Sequence, residues 1–340
     1  MLPISGAAQI MAYVSATMTR IPSRSSAALK RFGRNDAIFR WFAFGAACLV
    51  LLIFAGIITA LASGAWPALS TFGLGFLTST AWNPVTGKFG ALPAIYGTLI
   101  TSALAMAIAV PVGIGIAIFL TDLCPRPLRR PVGIAVELLA GIPSIIYGIW
   151  GLFVFAPFFQ QFVQPRIVSV FGDIPVLSNL FAGPPYGIGV FTASLILSIM
   201  ILPFISAVTR DVFETVPPML KEAAYGLGCT RWEVTWNVVL PFARTGVVGG
   251  SMLALGRALG ETMAVTFVIG NAHTISSSLF APGTTISATI ANEFTEAVGD
   301  LYVSSLIAIG LILFVITFLV LAAAQIMLYQ LEARAGGRTQ

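Results

Sequence analysis

Six apolar stretches, near residues 41–63, 94–120, 138–162, 187–209, 243–270 and 302–330, constrain this chain more than any other feature. The hydrocarbon core of a bilayer is about 30 Å thick, and a helix needs about 20 apolar residues to cross it. Each stretch is long enough. Charged residues make up 9% of the chain and hydrophobic residues 57%, whereas a soluble domain carries about 25% charged residues. In hydrocarbon the backbone must satisfy its own hydrogen bonds, and for apolar runs of this length helices do so. The expected fold class is therefore all-α, a polytopic membrane protein with about six transmembrane helices.

The basic residues predict its orientation. Arg20, Arg24, Lys30, Arg31, Arg34 and Arg40 precede the first span, and Arg126, Arg129 and Arg130 follow the second. Arg210, Lys221 and Arg231 surround the loop after the fourth, and Arg334 and Arg338 follow the last. The three opposite loops hold only Lys88 and Arg166. Short loops rich in Lys and Arg stay in the cytoplasm, so both termini and the loop after the fourth span are expected there. These charges explain the net charge of +5. They sit where anionic lipid attracts them, which argues against nucleic acid as a partner. The apolar run before Ala60-Leu61-Ala62 exceeds the roughly 7–15 residues of a signal peptide, so a retained first span is expected.

The organisation expected from this pattern is a basic tail over 1–40, a first span with its outer loop over 41–93, a core of the other five spans over 94–332 and a tail over 333–340. Asn83-Pro84 and Thr86-Gly87 signal turns. Four prolines, Pro165, Pro175, Pro184 and Pro185, predict an irregular loop over 163–186. Residues 284–298 are mildly apolar and predict a short re-entrant or interfacial helix. Pro143 and Pro203 interrupt the third and fourth spans, where each allows a kink. Cys48, Cys124 and Cys229 have no metal-ligand spacing and read as small buried or interfacial residues.

Two charges fall inside the fifth stretch. Arg257 and Glu261 are four residues apart, so a continuous helix would place them on one face. An ionisable group at the bilayer centre costs about 2.5–3.5 kcal/mol on insertion scales, so neither is expected to face lipid. They read either as a buried ion pair or as the lining of a substrate path, and the two readings are compatible. A guanidinium is a permanently charged planar fork suited to an oxyanion. A carboxylate beside it could orient the fork and accept a proton from hydrogen phosphate. Gly246 and Gly250, and Gly256 and Gly260, form two GxxxG steps that read as close helix packing. His273, Glu293, Glu296 and Asp300 read as solvated residues of an outer loop. The chain has no GxxxxGK[ST] phosphate loop, so any ATP chemistry is expected on another chain, with no cofactor here.

The loop after the fourth span carries a longer pattern. Glu222, Ala223 and Ala224, then Gly228, then Val238, Leu240 and Pro241 fit EAAxxxGxxxxxxxxx[IV]xLP. This resembles the EAA loop of membrane subunits of ABC importers. Glu137-Leu-Leu-Ala-Gly-Ile-Pro-Ser-Ile-Ile-Tyr-Gly148, Thr209-Arg-Asp-Val-Phe-Glu-Thr-Val-Pro217 and Gly256-Arg-Ala-Leu-Gly-Glu-Thr-Met-Ala-Val265 are similar to phosphate-specific transport permeases of the PstC type. So are Trp82-Asn-Pro and Phe89-Gly-Ala-Leu-Pro-Ala-Ile-Tyr-Gly-Thr98.

The resemblance implies the MetI-like fold of type I ABC importer permeases, in a bacterial inner membrane. It implies a PstA-type permease partner, two PstB-type ATPase subunits that bind ATP and Mg, and a PstS-type protein that delivers inorganic phosphate. It assigns ATPase coupling to Glu222, Ala223, Ala224, Gly228, Leu240 and Pro241, and phosphate passage to Arg257 and Glu261. Arg257 by itself does not separate phosphate from sulfate, molybdate or phosphonate. An ion-coupled secondary transporter is the competing class, but it would leave the loop at 222–241 unexplained.

Overall fold

A computed structural model describes residues 26–336 except 173, 175 and 176, with side chains over 38–330. The described chain is helical. Six helical segments are long and apolar enough to cross a membrane: Ile38–Phe72, Leu92–Leu123, Ser144–Phe171, Val190–Glu214, Arg231–Leu259 and Asp300–Gln330. The chain divides into two units, Met1–Ala60 and Leu61–Gln340.

Helix α1, Ser26–Phe72, begins well before the expected first stretch and ends beyond it. Residues 1–25 of the expected tail lie outside the described residues. In the first unit α1 exposes Trp41, Phe42, Leu51 and Leu52, an apolar surface suited to hydrocarbon. Past residue 60 the helix is packed: Ala65 and Ala68 are fully buried in a cluster with Leu306 and Ile309. The Ser304 hydroxyl accepts from Ala68 N at 2.9 Å and donates to Gly64 O at 2.8 Å. A side chain thus splices into the helical ladder beside Pro67, one of the recognised ways a helix is opened.

The core of the second unit is built on α2, Leu92–Ile118, and α5, Val190–Glu214. Ala105 and Ala109 of α2 lie in one buried cluster with Ile201 and Ile205 of α5. At Gly113 an added Cβ would come 2.7 Å from Ile205 Cγ2. Small residues let backbones approach where no water drives helices together. Pro203 lies inside α5 and is buried.

The third span departs from the expected 138–162. Residues 126–140 form a separate helix, α3, Arg126–Ala140. The chain breaks at Gly141–Pro143, and α4 starts at Ser144 and continues helically to Phe171. Pro143 was expected to kink a span. Instead it caps the start of one, because proline disfavours helix in the residue before it but suits a helix N-terminus. Much of 163–171, expected to be irregular, is helical: Gln164–Phe171 follows directly on the π-helical turn Phe159–Val163, so Pro165 sits where the regular ladder is already altered.

The segment after the fifth span is one short helical turn, Met263–Thr266, and loop rather than a continued span. Its backbone is satisfied by other loops: Gly189 N donates to Val268 O at 2.9 Å, Gly283 N to Ile269 O at 3.0 Å and Phe191 N to Leu279 O at 2.8 Å. Non-helical backbone is tolerated at membrane depth where protein covers it in this way. Helix α8, Ile286–Glu293, follows; its first N–H donates to Thr98 Oγ1 of α2 at 3.0 Å. The last helix, α9, runs Asp300–Gly336.

Candidate functional site

The loop after α5 is a compact structural unit. Pro217 is extended, and Pro218 opens α6, Pro218–Gly226, where its fixed φ and missing N–H fit the first turn. Gly228 closes α6 with φ +87, a left-handed conformation that costs other residues about 1–2 kcal/mol. Gly228 N donates to Tyr225 O at 2.9 Å and Cys229 N to Ala224 O at 3.2 Å. This pair of bonds is a Schellman cap. Two residues on, Thr230 and Glu233 form a reciprocal capping box: Thr230 N donates to Glu233 Oε2 at 2.7 Å and Glu233 N to Thr230 Oγ1 at 3.4 Å.

A wide π-helical turn, Thr235–Val239, leads into α7, Leu240–Leu259, with Pro241 in its first turn. Gly228 and Pro241 of the EAA pattern thus have a local reason. Ala224 is buried in a cluster with Phe213, Val216, Val234 and Val239. Glu222, Ala223 and Gly228 are exposed, with Met219 and Leu227 at 78% and 86%. A rigid short helix that presents apolar side chains beside a carboxylate has the character of a docking face.

Sequence reasoning missed the ion pairs around this loop. At the end of α2 the chain widens into a π-turn, Phe119–Leu123. Asp122 Oδ1 lies 3.3 Å from Lys221 Nζ of α6, and Asp122 Oδ2 lies 3.3 Å from Thr235 Oγ1. Arg210, one turn from the end of α5, pairs with Glu137 of α3 at 2.7 Å and with Asp211 at 3.0 Å. Nothing in local spacing foretells contacts between residues this far apart in the chain.

Arg257 and Glu261 do not share a helix. Helix α7 stops at Leu259 and Gly260 caps it, so Arg257 is in the last turn and Glu261 lies beyond the helix. The expected fifth span, 243–270, is therefore replaced by Arg231–Leu259. The cause is packing. Ala264, Val265, Val268 and Ile269 are drawn into the central cluster, and Gly148 of α4 leaves room for them. A Cβ on Gly148 would lie 2.8 Å from both Met263 O and the Phe267 ring. A straight continuation of α7 would forfeit that burial.

Arg257 is exposed on the isolated chain and, among the described residues, forms no salt bridge. Glu261 is half-buried, and its Oε1 accepts from Ala264 N at 3.4 Å. Its carboxylate is occupied by the next turn of backbone rather than by Arg257. Arg257 stands in the last turn of α7, where a positive charge is favourable.

Residues 109–331 match the sequence profile of binding-protein-dependent transport system inner membrane components. The chain is 68% identical over 326 residues to the phosphate transport system permease protein PstC of Mesorhizobium japonicum, covering 96% of this chain and 100% of that one. The chain belongs to this permease family. It is 58% identical to PstC of Pasteurella multocida, over 88% of this chain and 94% of the relative. Among solved structures it is similar to a chain of a bacterial alginate ABC transporter crystallised with its pentasaccharide-bound periplasmic protein. That similarity has a TM-score of 0.57 at 19% identity and covers 86% of this chain and 96% of the other. It concerns the fold alone.

The glycines of the permease's α7 serve different contacts. A Cβ on Gly246 would lie 2.6 Å from Val212 Cγ1, and one on Gly250 would lie 2.5 Å from Val208 Cγ1, both on α5. Gly256 has only ordinary contact with Leu321, at 3.5 Å, and Gly260 meets only the carbonyls of its own helix end. The second GxxxG step is therefore not a close helix crossing within this chain, because the helix ends before the step is complete. A groove of about 540 Å³ lies between α2, α7 and α9, lined by Leu99, Met106, Val247, Leu255 and Val320 among others. Its lining is apolar and does not include Arg257, so it offers a desolvated oxyanion no compensation.

A network around Glu293 and His273 lies where solvated loop was expected. Glu293 accepts from Trp82 Nε1 at 2.6 Å and Tyr302 OH at 2.7 Å, and its Oε1 lies 2.7 Å from His273 Nε2. His273 stacks on Trp82, with ring centroids 5.3 Å apart. The Glu293 and His273 side chains are only 18% and 20% exposed. Burial alone would raise the Glu293 carboxyl; the hydrogen bonds from His273, Tyr302 and Trp82 outweigh it and hold the group below its ordinary value. The correction has a simple cause: four distant segments converge there, and only their packing reveals the shelter.

Proposed function

We propose that this chain is the transmembrane permease subunit of an ATP-driven importer of inorganic phosphate. The near full-length similarity to PstC permeases carries this reading. On it, α6 docks on a PstB-type ATPase subunit, one of two that bind ATP and Mg. A PstA-type permease completes the pore, and a PstS-type binding protein delivers phosphate. Both termini and α6 face the cytoplasm, as the distribution of Lys and Arg supports.

Movement of the ATPase dimer is transmitted through α6, and the pore alternates between its two faces. Arg257 lines the phosphate path. Its unpaired guanidinium at a helix end, in a membrane-spanning segment, is a fixed positive charge that an oxyanion neutralises on passage. Glu261, held on the following turn, lies beside the path and accepts a hydrogen bond from the protonated oxygen of hydrogen phosphate, an interaction that sulfate does not offer at neutral pH. Covalent chemistry stays with the ATPase subunits.

The test is uptake of labelled phosphate by cells expressing the chain with its partners, with excess sulfate as competitor and a hydrolysis-inactive ATPase as control. Uptake that requires hydrolysis and resists sulfate supports the reading. Strong competition by sulfate moves the substrate to another oxyanion, and uptake indifferent to hydrolysis makes the chain a secondary transporter.

A further inference from the structure

A nine-residue helix at the membrane edge must pass its displacement to spans that begin and end beside it. We propose that Asp122 is the positioning residue that ties α6 to the adjoining ends of α2 and α7, so that the docking helix and both spans move together. The proposal rests on the reading of α6 as the ATPase-docking element.

The geometry is that of a bridge. One carboxylate oxygen of Asp122 lies 3.3 Å from Lys221 Nζ on α6, and the other lies 3.3 Å from Thr235 Oγ1 in the turn before α7. The three residues come from different segments of the chain, and Asp122 alone touches both others. The single hydroxyl proton of Thr235 is shared between Asp122 and Arg231 O, which lies 2.9 Å away. The Lys221 pair is therefore the firmer arm. The site is sheltered: the Asp122 and Lys221 side chains are 12% and 22% exposed, and Thr235 is 3% exposed. An ion pair held from water in this way is worth more than one on a surface.

Two further observations give the bridge its direction. Lys221 directly precedes Glu222, and the two differ in exposure. One helix thus carries an outward docking carboxylate and an inward anchor on successive residues, about 100° apart around its axis. Both Asp122 and Thr235 lie in π-helical turns. Such turns insert a residue, rotate the side chains that follow, and recur at functional positions.

The apolar cluster around Ala224, Phe213 and Val239 also joins these elements, but apolar contact is non-directional and tolerates sliding. A charge-assisted contact fixes register. The cluster holds α6 in place, and Asp122 makes its movement count.

The experiment uses the complete complex, with its partner subunits, in proteoliposomes. It reads phosphate moved per ATP hydrolysed and recovery of the ATPase subunit on purification. Asp122→Asn should lower the phosphate-to-ATP ratio about tenfold while the ATPase subunit is still recovered, since coupling energies of this kind shift equilibria by about 5–150-fold. Lys221→Met removes the same pair from the other side and should lower the ratio similarly. The exchange of Asp122→Lys with Lys221→Asp should regain at least about threefold of the loss, as an interaction term does in a double-mutant cycle.

A purely structural contact would lower uptake and hydrolysis together and leave the ratio unchanged. An unchanged ratio in Asp122→Asn overturns the proposal, as does a loss that the exchange does not relieve. If Asp122→Asn fails to assemble, the ratio in Lys221→Met decides in the same way. Wild-type uptake that persists with a hydrolysis-inactive ATPase is a distinct result, which removes the importer reading on which the tie depends.

Discussion

The loop after α5 and the break after α7 are both short, carry charge and match sequence patterns, yet only the loop closes its own caps. In the loop, Gly228 supplies a left-handed residue, Thr230 and Glu233 cap each other, and Ala224 fills a cluster. In the break, Arg257 has no salt-bridge partner among the described residues and Glu261 turns to backbone. A segment that closes its own hydrogen bonds can move as a rigid body. One that leaves a guanidinium without a salt bridge in a membrane-spanning helix is the place where, on the proposed function, a passing anion is met.

The sharpest way to break this contrast is Arg257→Gln. Phosphate uptake should fall on the order of a hundredfold, the loss typical when one fixed donor to a developing or passing anion is removed. Membrane insertion and ATPase-subunit recovery should stay normal, and unchanged uptake would take Arg257 off the path. Next in size is Glu222→Lys, which reverses a charge on the docking face. Recovery of the ATPase subunit from purified complexes should drop about tenfold; full recovery with normal ATP turnover would remove the docking assignment.

Gly250→Val sharpens the contrast within α7 itself. Overpacking against Val208 should destabilise the chain by about 1–3 kcal/mol, read as a lower apparent melting temperature in detergent. Gly260→Ala, where no atom crowds the new methyl, should leave that temperature nearly unchanged. Gly228→Ala should cost about 1 kcal/mol through its left-handed backbone and loosen α6 without touching α7, which hydrogen exchange across 218–230 would report.

The smallest effect concerns Glu293. Its folded-state pKa lies below the ordinary value of 4.5, so the stability it contributes is present above that pH and is lost as pH falls through it. Wild-type melting temperature should therefore decline below about pH 4.5, and Glu293→Gln should flatten that decline. An identical pH profile in the variant would show that the network does not stabilise the folded chain.

Much of the fold was legible because the bilayer imposes a length. Helices at all six apolar stretches follow from hydropathy, although the first, third and fifth had displaced boundaries. Pro143 became a span's beginning, and the fifth span ended at Leu259. The local structure of the loop after α5 was legible for a different reason. Capping and left-handed turns depend on neighbouring residues, so Gly228 and Pro241 carry their structural meaning within the motif. The ion pairs Asp122–Lys221 and Arg210–Glu137 and the Trp82–His273–Glu293–Tyr302 network were not legible. Their partners lie up to 211 residues apart, and no local period joins them.

By itself the sequence determined that the chain is helical, spans a membrane about six times and carries a capped short-helix loop matching the EAA pattern between two spans. Those features depend on apolar run length and on contacts within a few residues. Only the tertiary structure decided where α7 ends, which glycines meet a neighbouring helix and which charges are paired. Each of those outcomes is a competition between local helix continuity and burial against a distant segment. At residues 260–269, burial of Ala264, Val265, Val268 and Ile269 wins.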